Sequence, residues 1–242
     1  MITYASLSYQ GSREINEDFV KERIEDGNML FILADGLGGH SKGEVASCLV
    51  ASSIAEQFDF SAKDPEEEIA KRIVAAQEAL LEEQKKENQP DGMKTTGVVL
   101  LLKNEQVYMA HVGDSRGYTF LKNGEFSRTV DHSIPQLLVL SGAIEEKEIR
   151  NHPERSSLLR VFGSPWERQE YEFEQTVPLS EVKALLLCSD GFWELIDEKK
   201  MKRCMFGART AEQWLNRMKK VVEKNGIGKD MDNYSAIAVL NR

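Results

Sequence analysis

The chain has 242 residues, 41% of them hydrophobic and 29% charged, with a net charge of −9, which excludes a disordered tract and argues against a basic nucleic-acid-binding surface. Three cysteines at irregular spacing (Cys48, Cys188, Cys204) do not make a disulfide framework and point to free thiols in a reducing compartment. No apolar run approaches the roughly 20 residues of a membrane helix, and the N-terminus lacks a basic segment followed by an apolar one, so the expectation is a cytoplasmic protein without membrane contact.

In chain order, the first strong signal is the apolar run Met29 to Ala34, of strand length and bounded by turn residues. Glu44 to Phe58 follows with a helical apolar spacing. Pro65 to Glu87 reads as a longer helix, with Asp64 as N-cap and Pro65 at the first helical position. Gly97 to Leu102 and Val107 to Val112 are further strands. Gly117 to Leu121 runs into Lys122-Asn123-Gly124-Glu125, the sign of a tight hairpin. Ser133 to Arg150 is broken by Pro135 and Ser141-Gly142 and reads as two short helices. Ala184 to Cys188 is a strand. Ala211 to Lys224 is a helix with Trp214, Leu215, Met218, Val221 and Val222 on one face, stopped by Asn225-Gly226. Ala236 to Leu240 is the last strand. Strands follow strands and helices come in blocks, which favours an α+β architecture with mostly antiparallel sheets in one domain.

Familiar phosphate chemistries are missing. Asp35-Gly36-Leu37-Gly38-Gly39-His40-Ser41-Lys42 fits neither nucleotide-loop pattern. No G-x-S-x-G elbow occurs. A cysteine phosphatase needs Arg six residues after its nucleophile; those positions hold Ile54, Glu194 and Thr210. The four histidines (His40, His111, His132, His152) are isolated, and paired cysteine spacing is absent, which disfavours zinc.

What remains is a set of acids at the ends of apolar runs: Glu17-Asp18 before Phe19, Asp35-Gly36 after Ala34, Asp114 after Gly113, Asp190-Gly191 after Ser189, and Asp232-Asn233 before the last strand. A sheet gathers such ends into one cleft. Converging carboxylates stay ionised only with cations between them, and oxygen-only ligands select Mg²⁺ or Mn²⁺. Each motif alone has a plainer reading. Asp-Gly after a strand is commonly a turn, Arg13 a surface charge, Cys188 a core thiol, and Trp193 and Trp214 packing. The ordered combination carries the argument.

That combination closely resembles the PPM family, the PP2C-type protein phosphatases, in its compact bacterial form. The matching text is Arg13-Glu14-Ile15-Asn16-Glu17-Asp18, Asp35 to His40 running into Gly43-Glu44-Val45-Ala46-Ser47, Thr95-Thr96, Gly113-Asp114-Ser115-Arg116, Asp131-His132-Ser133, Ser189-Asp190-Gly191 and Asp232-Asn233-Tyr234-Ser235. The resemblance implies a four-layer α/β/β/α sandwich, two antiparallel sheets flanked by helices, spanning residues 1–242. It implies metal-dependent hydrolysis of phosphoserine and phosphothreonine in proteins, with two Mn²⁺ or Mg²⁺ ions and a weaker third. Asp35 would bridge the two metals, and Asp190 and Asp232 would complete one site. Glu17 or Asp18 would serve the other with the Gly36 carbonyl. Asp114 would share the third ion with Asp190, and Arg13 would bind the substrate phosphate. Residues 133–164 resemble the family's flap, a specificity element in which Arg155 and Arg160 either bind an anionic substrate or are simply solvated. In many eukaryotic relatives a His follows Asp-Gly and protonates the leaving group. Here Leu37 stands there, and His40 does not inherit the role by position alone. The expected partner is the phosphoprotein product of a serine/threonine kinase. The alternatives are a small molecule or dedicated regulator as substrate, or an inactive phosphoprotein-binding module that would be expected to have lost a metal acid.

Overall fold

The computed structural model describes residues 1–37, 42–89 and 92–242. The chain opens with β1 (Ile2–Tyr9), β2 (Asp18–Glu25) and β3 (Asn28–Asp35), then α1 (Gly43–Gln57) and α2 (Pro65–Lys86). Four strands follow: β4 (Gly97–Lys103), β5 (Gln106–Val112), β6 (Arg116–Leu121) and β7 (Phe126–Arg128). The flap region carries α3 (Ile134–Leu140) and a 3₁₀ turn (Glu146–Asn151). After it come β8 (Glu172–Phe173), β9 (Val177–Pro178), β10 (Val182–Cys188), α4 (Asp190–Trp193), α5 (Glu198–Met205), α6 (Ala211–Gly226) and β11 (Tyr234–Asn241).

One sheet has the order β1-β11-β10-β6-β7 and the other β2-β3-β4-β5-β8, with β9 also on β5. Every strand pair is antiparallel. The period-2 alternation of side chains explains the layering. Along β3, Phe31 and Leu33 join a core shared with Leu187, Ile237 and Val239 of the other sheet. Leu30, Ile32 and Ala34 face the opposite way, onto Val50, Ile54, Ile73 and Leu80 of α1 and α2. On β10, Leu185 and Leu187 face the shared core, while Ala184, Leu186 and Cys188 pack on Trp214, Leu215 and Met218 of α6. Val182 also faces the shared core because a bulge between Val182 and Ala184 inserts one extra residue. The continuous apolar runs of β3, β4 and β10 are therefore strands buried on both faces, giving the α/β/β/α sandwich.

Local chemistry sets the helix ends. Asp64 accepts from the Glu66 and Glu67 amides at 3.0 and 3.1 Å, Pro65 opens α2, and Lys85 and Lys86 sit at its negative end. Asn225-Gly226 does not stop α6. The helix continues through Gly226, where an added Cβ would lie 2.0 Å from Met231 Sδ, and the left-handed residue is Gly228 at φ +77°. The β6–β7 hairpin forms around a tight three-residue loop, the Leu121 amide donating to Glu125 O at 3.0 Å and the Gly124 amide to Leu121 O at 3.1 Å, with only Gly124 at positive φ. The tight turns with two left-handed residues lie elsewhere, at Asp26-Gly27 and Asn104-Glu105.

Candidate active site

Antiparallel register gathers the acids. Asp18 and Asp35 are direct partners across β2 and β3. Cys188 pairs with Ala236, so Asp190 just beyond β10 meets Asp232 just before β11. Gly97 pairs with Val112, which sets Asp114 beside Thr96. Thr95 and Thr96 then tie Asp35 in place. Thr95 Oγ1 donates to Asp35 O at 2.8 Å, the Thr96 amide donates to the same carbonyl at 2.8 Å, and Thr96 Oγ1 accepts from the Asp35 amide at 3.2 Å and contacts Ser115 Oγ at 2.7 Å.

The two sheets are stitched at the site. Ser189 Oγ donates to Asp18 Oδ2 at 2.7 Å and accepts from the Ser235 amide at 2.9 Å. Asn233 holds the segment that carries Arg13 and Glu17: its Nδ2 donates to Gln10 O and Ile15 O at 2.7 and 2.9 Å, and its Oδ1 accepts from the Glu17 amide at 2.8 Å. The two motif glycines are not turn residues, for neither has a positive φ. They are points of close approach: a Cβ on Gly36 would lie 2.3 Å from Gly43 O, and one on Gly191 would lie 2.1 Å from Asn233 O.

The result is a cleft of about 330 Å³ lined by Arg13, Glu17, Asp35, Gly36, Leu37, Asp114, Asp190 and Asp232, with Ser156 and Leu158 of the flap along one side. Asp18 lies beneath them. Every acid named from the sequence therefore belongs to one constellation. His40 lies outside the described residues. A larger groove, about 680 Å³ along the β5–β6 edge, offers only Glu125, Glu174 and Lys202 as charged groups and no comparable cluster.

The electrostatics are those of a cation site. Burial, reinforced by Asp18, Asp190, Asp114 and Asp232, pushes Asp35 well above the usual carboxylate range. Burial, then Asp114, Glu194 and Asp232, does the same to Asp190. Asp18 rises to about 6, chiefly through burial, and Asp114 to about 7 through burial and then Asp131. Burial followed by Glu44 raises Glu17. Asp18 Oδ1 is buried without a hydrogen-bond donor. A buried carboxylate oxygen lacking a donor, among carboxylates that repel one another, is satisfied by a divalent cation, and an all-oxygen set suits Mg²⁺ or Mn²⁺. The residues present therefore fit such ions.

Arg13 forks onto Asp232, Nε to Oδ1 at 3.0 Å and Nη2 to Oδ2 at 2.8 Å, and is about half exposed at the rim. Arg155 and Arg160 are not simply solvated, for each is engaged in ion pairs. Arg155 pairs with Glu194 at 2.9 Å, and Arg160 with Glu170 at 3.0 Å and Glu172 at 2.5 Å.

Sequence reasoning gave no role to Arg116, Asp131 and His132. Arg116 is 2% exposed and forks onto Asp131 at 2.9 and 2.6 Å. Burial alone would raise Asp131, but the guanidinium holds it below the usual range. His132 Nδ1 accepts from the Gly113 amide at 3.2 Å, and its own amide donates to Gly113 O at 2.9 Å, fixing the turn before Asp114. His111 and His132, far apart in sequence, stack at 4.5 Å beside Glu172. The trio brings one ligand atom from each residue within 4.8 Å of the others, but the near-parallel stack of the two rings, 25° apart, is a poor arrangement for two imidazoles to share one ion. The Arg160 guanidinium also stands against both Glu172 and His132 Nε2.

A model of the family described as protein phosphatase 2C matches residues 8–233. A serine/threonine phosphatase from Listeria welshimeri is 31% identical over 194 residues, 78% of this chain and 76% of that protein. The phosphatase PstP of Mycobacterium tuberculosis is 33% identical over 207 residues, 82% of this chain and 38% of that longer protein. Among solved structures, the phosphatase Stp1 of Staphylococcus aureus superposes with a TM-score of 0.90 at 27% identity, covering 100% of this chain and 96% of that one. The PstP catalytic domain in complex with two manganese ions superposes with a TM-score of 0.82 at 27% identity, covering 99% of this chain and 97% of that one.

Proposed function

The chain belongs to the protein phosphatase 2C family, and from that premise we propose the role of each residue in its carboxylate cleft. The protein is a metal-dependent serine/threonine protein phosphatase using Mn²⁺ or Mg²⁺. Two divalent cations supply a deprotonated water near neutral pH and neutralise charge on the transferring phosphoryl group.

The rest falls to the chain. Asp35, at the end of β3 with the carboxylates of both sheets around it, would serve both cations. Asp190 and Asp232 complete one site across the close approach at Gly191. Glu17 or Asp18, with the Gly36 carbonyl, serves the other. Asp114 and Asp190 share a weaker third ion. Arg13 exchanges its fork on Asp232 for the substrate phosphate, which presents a similar pair of oxygens. The flap, residues 133–164, is the specificity element for the substrate chain, a reading supported by Ser156 and Leu158 lining the cleft. The whole chain works as one phosphatase domain. Its substrates are phosphoproteins made by a serine/threonine kinase, in the cytoplasm; among the described residues no helix is long and apolar enough to cross a membrane.

The observation that carries this reading is the buried, donor-less Asp18 Oδ1 beneath converging carboxylates of two sheets. The test is phosphate release from a phosphothreonine peptide with Mn²⁺. Turnover is expected to vanish with chelator and to fall at least about 100-fold in Asp190→Asn, since even groups behind metal ligands cost 10–100-fold. A folded, Mn²⁺-loaded native protein that released no phosphate from any phosphopeptide would make the binding-module alternative the better account.

A further inference from the structure

We infer that Trp193 is a positioning residue that holds Asp114 against Asp190, and so sets the affinity of the weaker cation site. The inference rests on the assignment of that site to these two acids. Asp190 opens the single-turn helix α4 and Trp193 closes it, with the Trp193 amide donating to Ser189 O at 3.2 Å, so both side chains are carried by one hydrogen-bonded turn. Its Nε1–H donates to the backbone carbonyl of Asp114 at 3.0 Å, in a bond that is fully buried. One residue thus spans the two strand ends that carry the pair.

The indole cannot drift. It is 1% exposed and lies under the Arg116 guanidinium, 3.5 Å from the ring centroid, with Arg150 at 5.4 Å. Arg116 is fixed by its fork on Asp131, and Arg150 by Glu198 at 2.5 Å and by donation to Trp193 O at 2.7 Å. Desolvated cation–π contacts of this kind hold a ring in place. Packing alone does not account for the residue. Phe or Leu would fill much of this space, but indole is the apolar-bodied side chain with an N–H to donate, and the Asp114 carbonyl would otherwise lie buried without this donor. Asp114 and Asp190 repel each other when ionised, so a fixed backbone contact between their supports keeps the pair closed before a cation arrives.

The experiment measures Mn²⁺ binding directly, by calorimetry and electron paramagnetic resonance, on native protein, Trp193→Phe, Trp214→Phe and Asp114→Asn. The expected result in Trp193→Phe is a weaker-site Kd raised about tenfold, the scale of one buried hydrogen bond, with the tight pair of sites unmoved. Trp214→Phe loses an equivalent buried bond, Nε1–H to Met201 O at 3.0 Å, remote from the acids. It should change neither class. If Asp114→Asn abolishes the weaker class while Trp193→Phe leaves it unchanged, or if Trp214→Phe shifts it equally, Trp193 is only packing. If Asp114→Asn leaves the weaker class intact, the assignment of that site fails and takes this inference with it. Should Trp193→Phe not fold, Mg²⁺ titration of the native protein decides. The Trp193 indole N–H resonance should follow the weaker isotherm, and a resonance that stays still overturns the proposal.

Discussion

Asp18 and Asp114 show at the scale of single residues how the site stores repulsion. Burial raises Asp18 to about 6 and Asp114 to about 7, and holds Asp35 and Asp190 well above the usual carboxylate range. In the unfolded chain these groups titrate near 4. Between about pH 4 and 7 the folded state therefore binds more protons than the unfolded state, and linkage makes stability fall as pH rises through that window. Below it the acids are protonated in both states and contribute nothing; above it Asp18 and Asp114 are ionised in both states and the loss of stability they cause is complete. The cation-free protein should accordingly lose several degrees of Tm between pH 5 and 7.5 in thermal melts with chelator. Mn²⁺ should restore them, with a larger gain at pH 7.5 than at pH 5. A cation-free Tm that rises over this range would contradict the electrostatic account. The identity of each acid was legible in the sequence, because Asp beside Gly or Asn at the end of an apolar run is a local pattern. The role of Trp193 was not, because the sequence shows an aromatic among apolar neighbours and gives no sign of which carbonyl its N–H will meet.

Individual elements turn that chemistry into position. The α4 turn and the start of β11 approach so closely that Gly191 admits no side chain, a Cβ there meeting Asn233 O at 2.1 Å and Asp232 Cβ at 3.2 Å. Gly191→Ala should therefore cost about 3 kcal/mol, the upper part of the usual range for overpacking, and lower Tm by roughly 6–12 °C for a chain of this size. It should also weaken Mn²⁺ binding, since Asp190 and Asp232 move apart. Gly124→Ala, in open space at φ +94°, should strain only its own turn and leave Mn²⁺ binding unchanged. Calorimetric melts and Mn²⁺ titration of both variants check this. Helices α1, α2 and α6 could be read from apolar spacing and caps. Strands β1 and β2 did not stand out as apolar runs because they mix exposed polar residues with half-buried ones. The Asn123-Gly124 turn is a three-residue loop rather than the two-residue one its dipeptide suggests because turn geometry answers to the register of the strands it joins.

The whole molecule is three apolar layers stacked between helices and sheets, and the layer between the sheets bears on function. Glu17, Asp18 and Asp35 lie in or beside strands of one sheet, Asp190 and Asp232 beside strands of the other, and Asp114 on the crossover from β5 to β6 that joins the two. Leu187, wholly buried between the sheets, and Leu80, wholly buried on the inner face of α2, are comparable core side chains. Each replaced by Ala should cost about 2–5 kcal/mol. Only Leu187→Ala should also raise the half-saturating Mn²⁺ concentration, because it loosens the packing that sets one sheet against the other. Equal effects on Mn²⁺ from both would show that the site is insensitive to sheet spacing. The sequence by itself determined which acids are present, that they offer oxygen donors alone, and that each sits at the end of an apolar strand or beside one. These are properties of residue type and near-neighbour spacing, which a linear text carries in full. The tertiary structure alone decided that Arg13 rests on Asp232, that Gly36 and Gly191 are points of contact rather than turns, that the flap arginines are already paired, and that His111 and His132 stack beside Glu172. Those outcomes depend on the approach of segments up to 219 residues apart, set by sheet register and packing, and no local pattern encodes a distance across the sandwich.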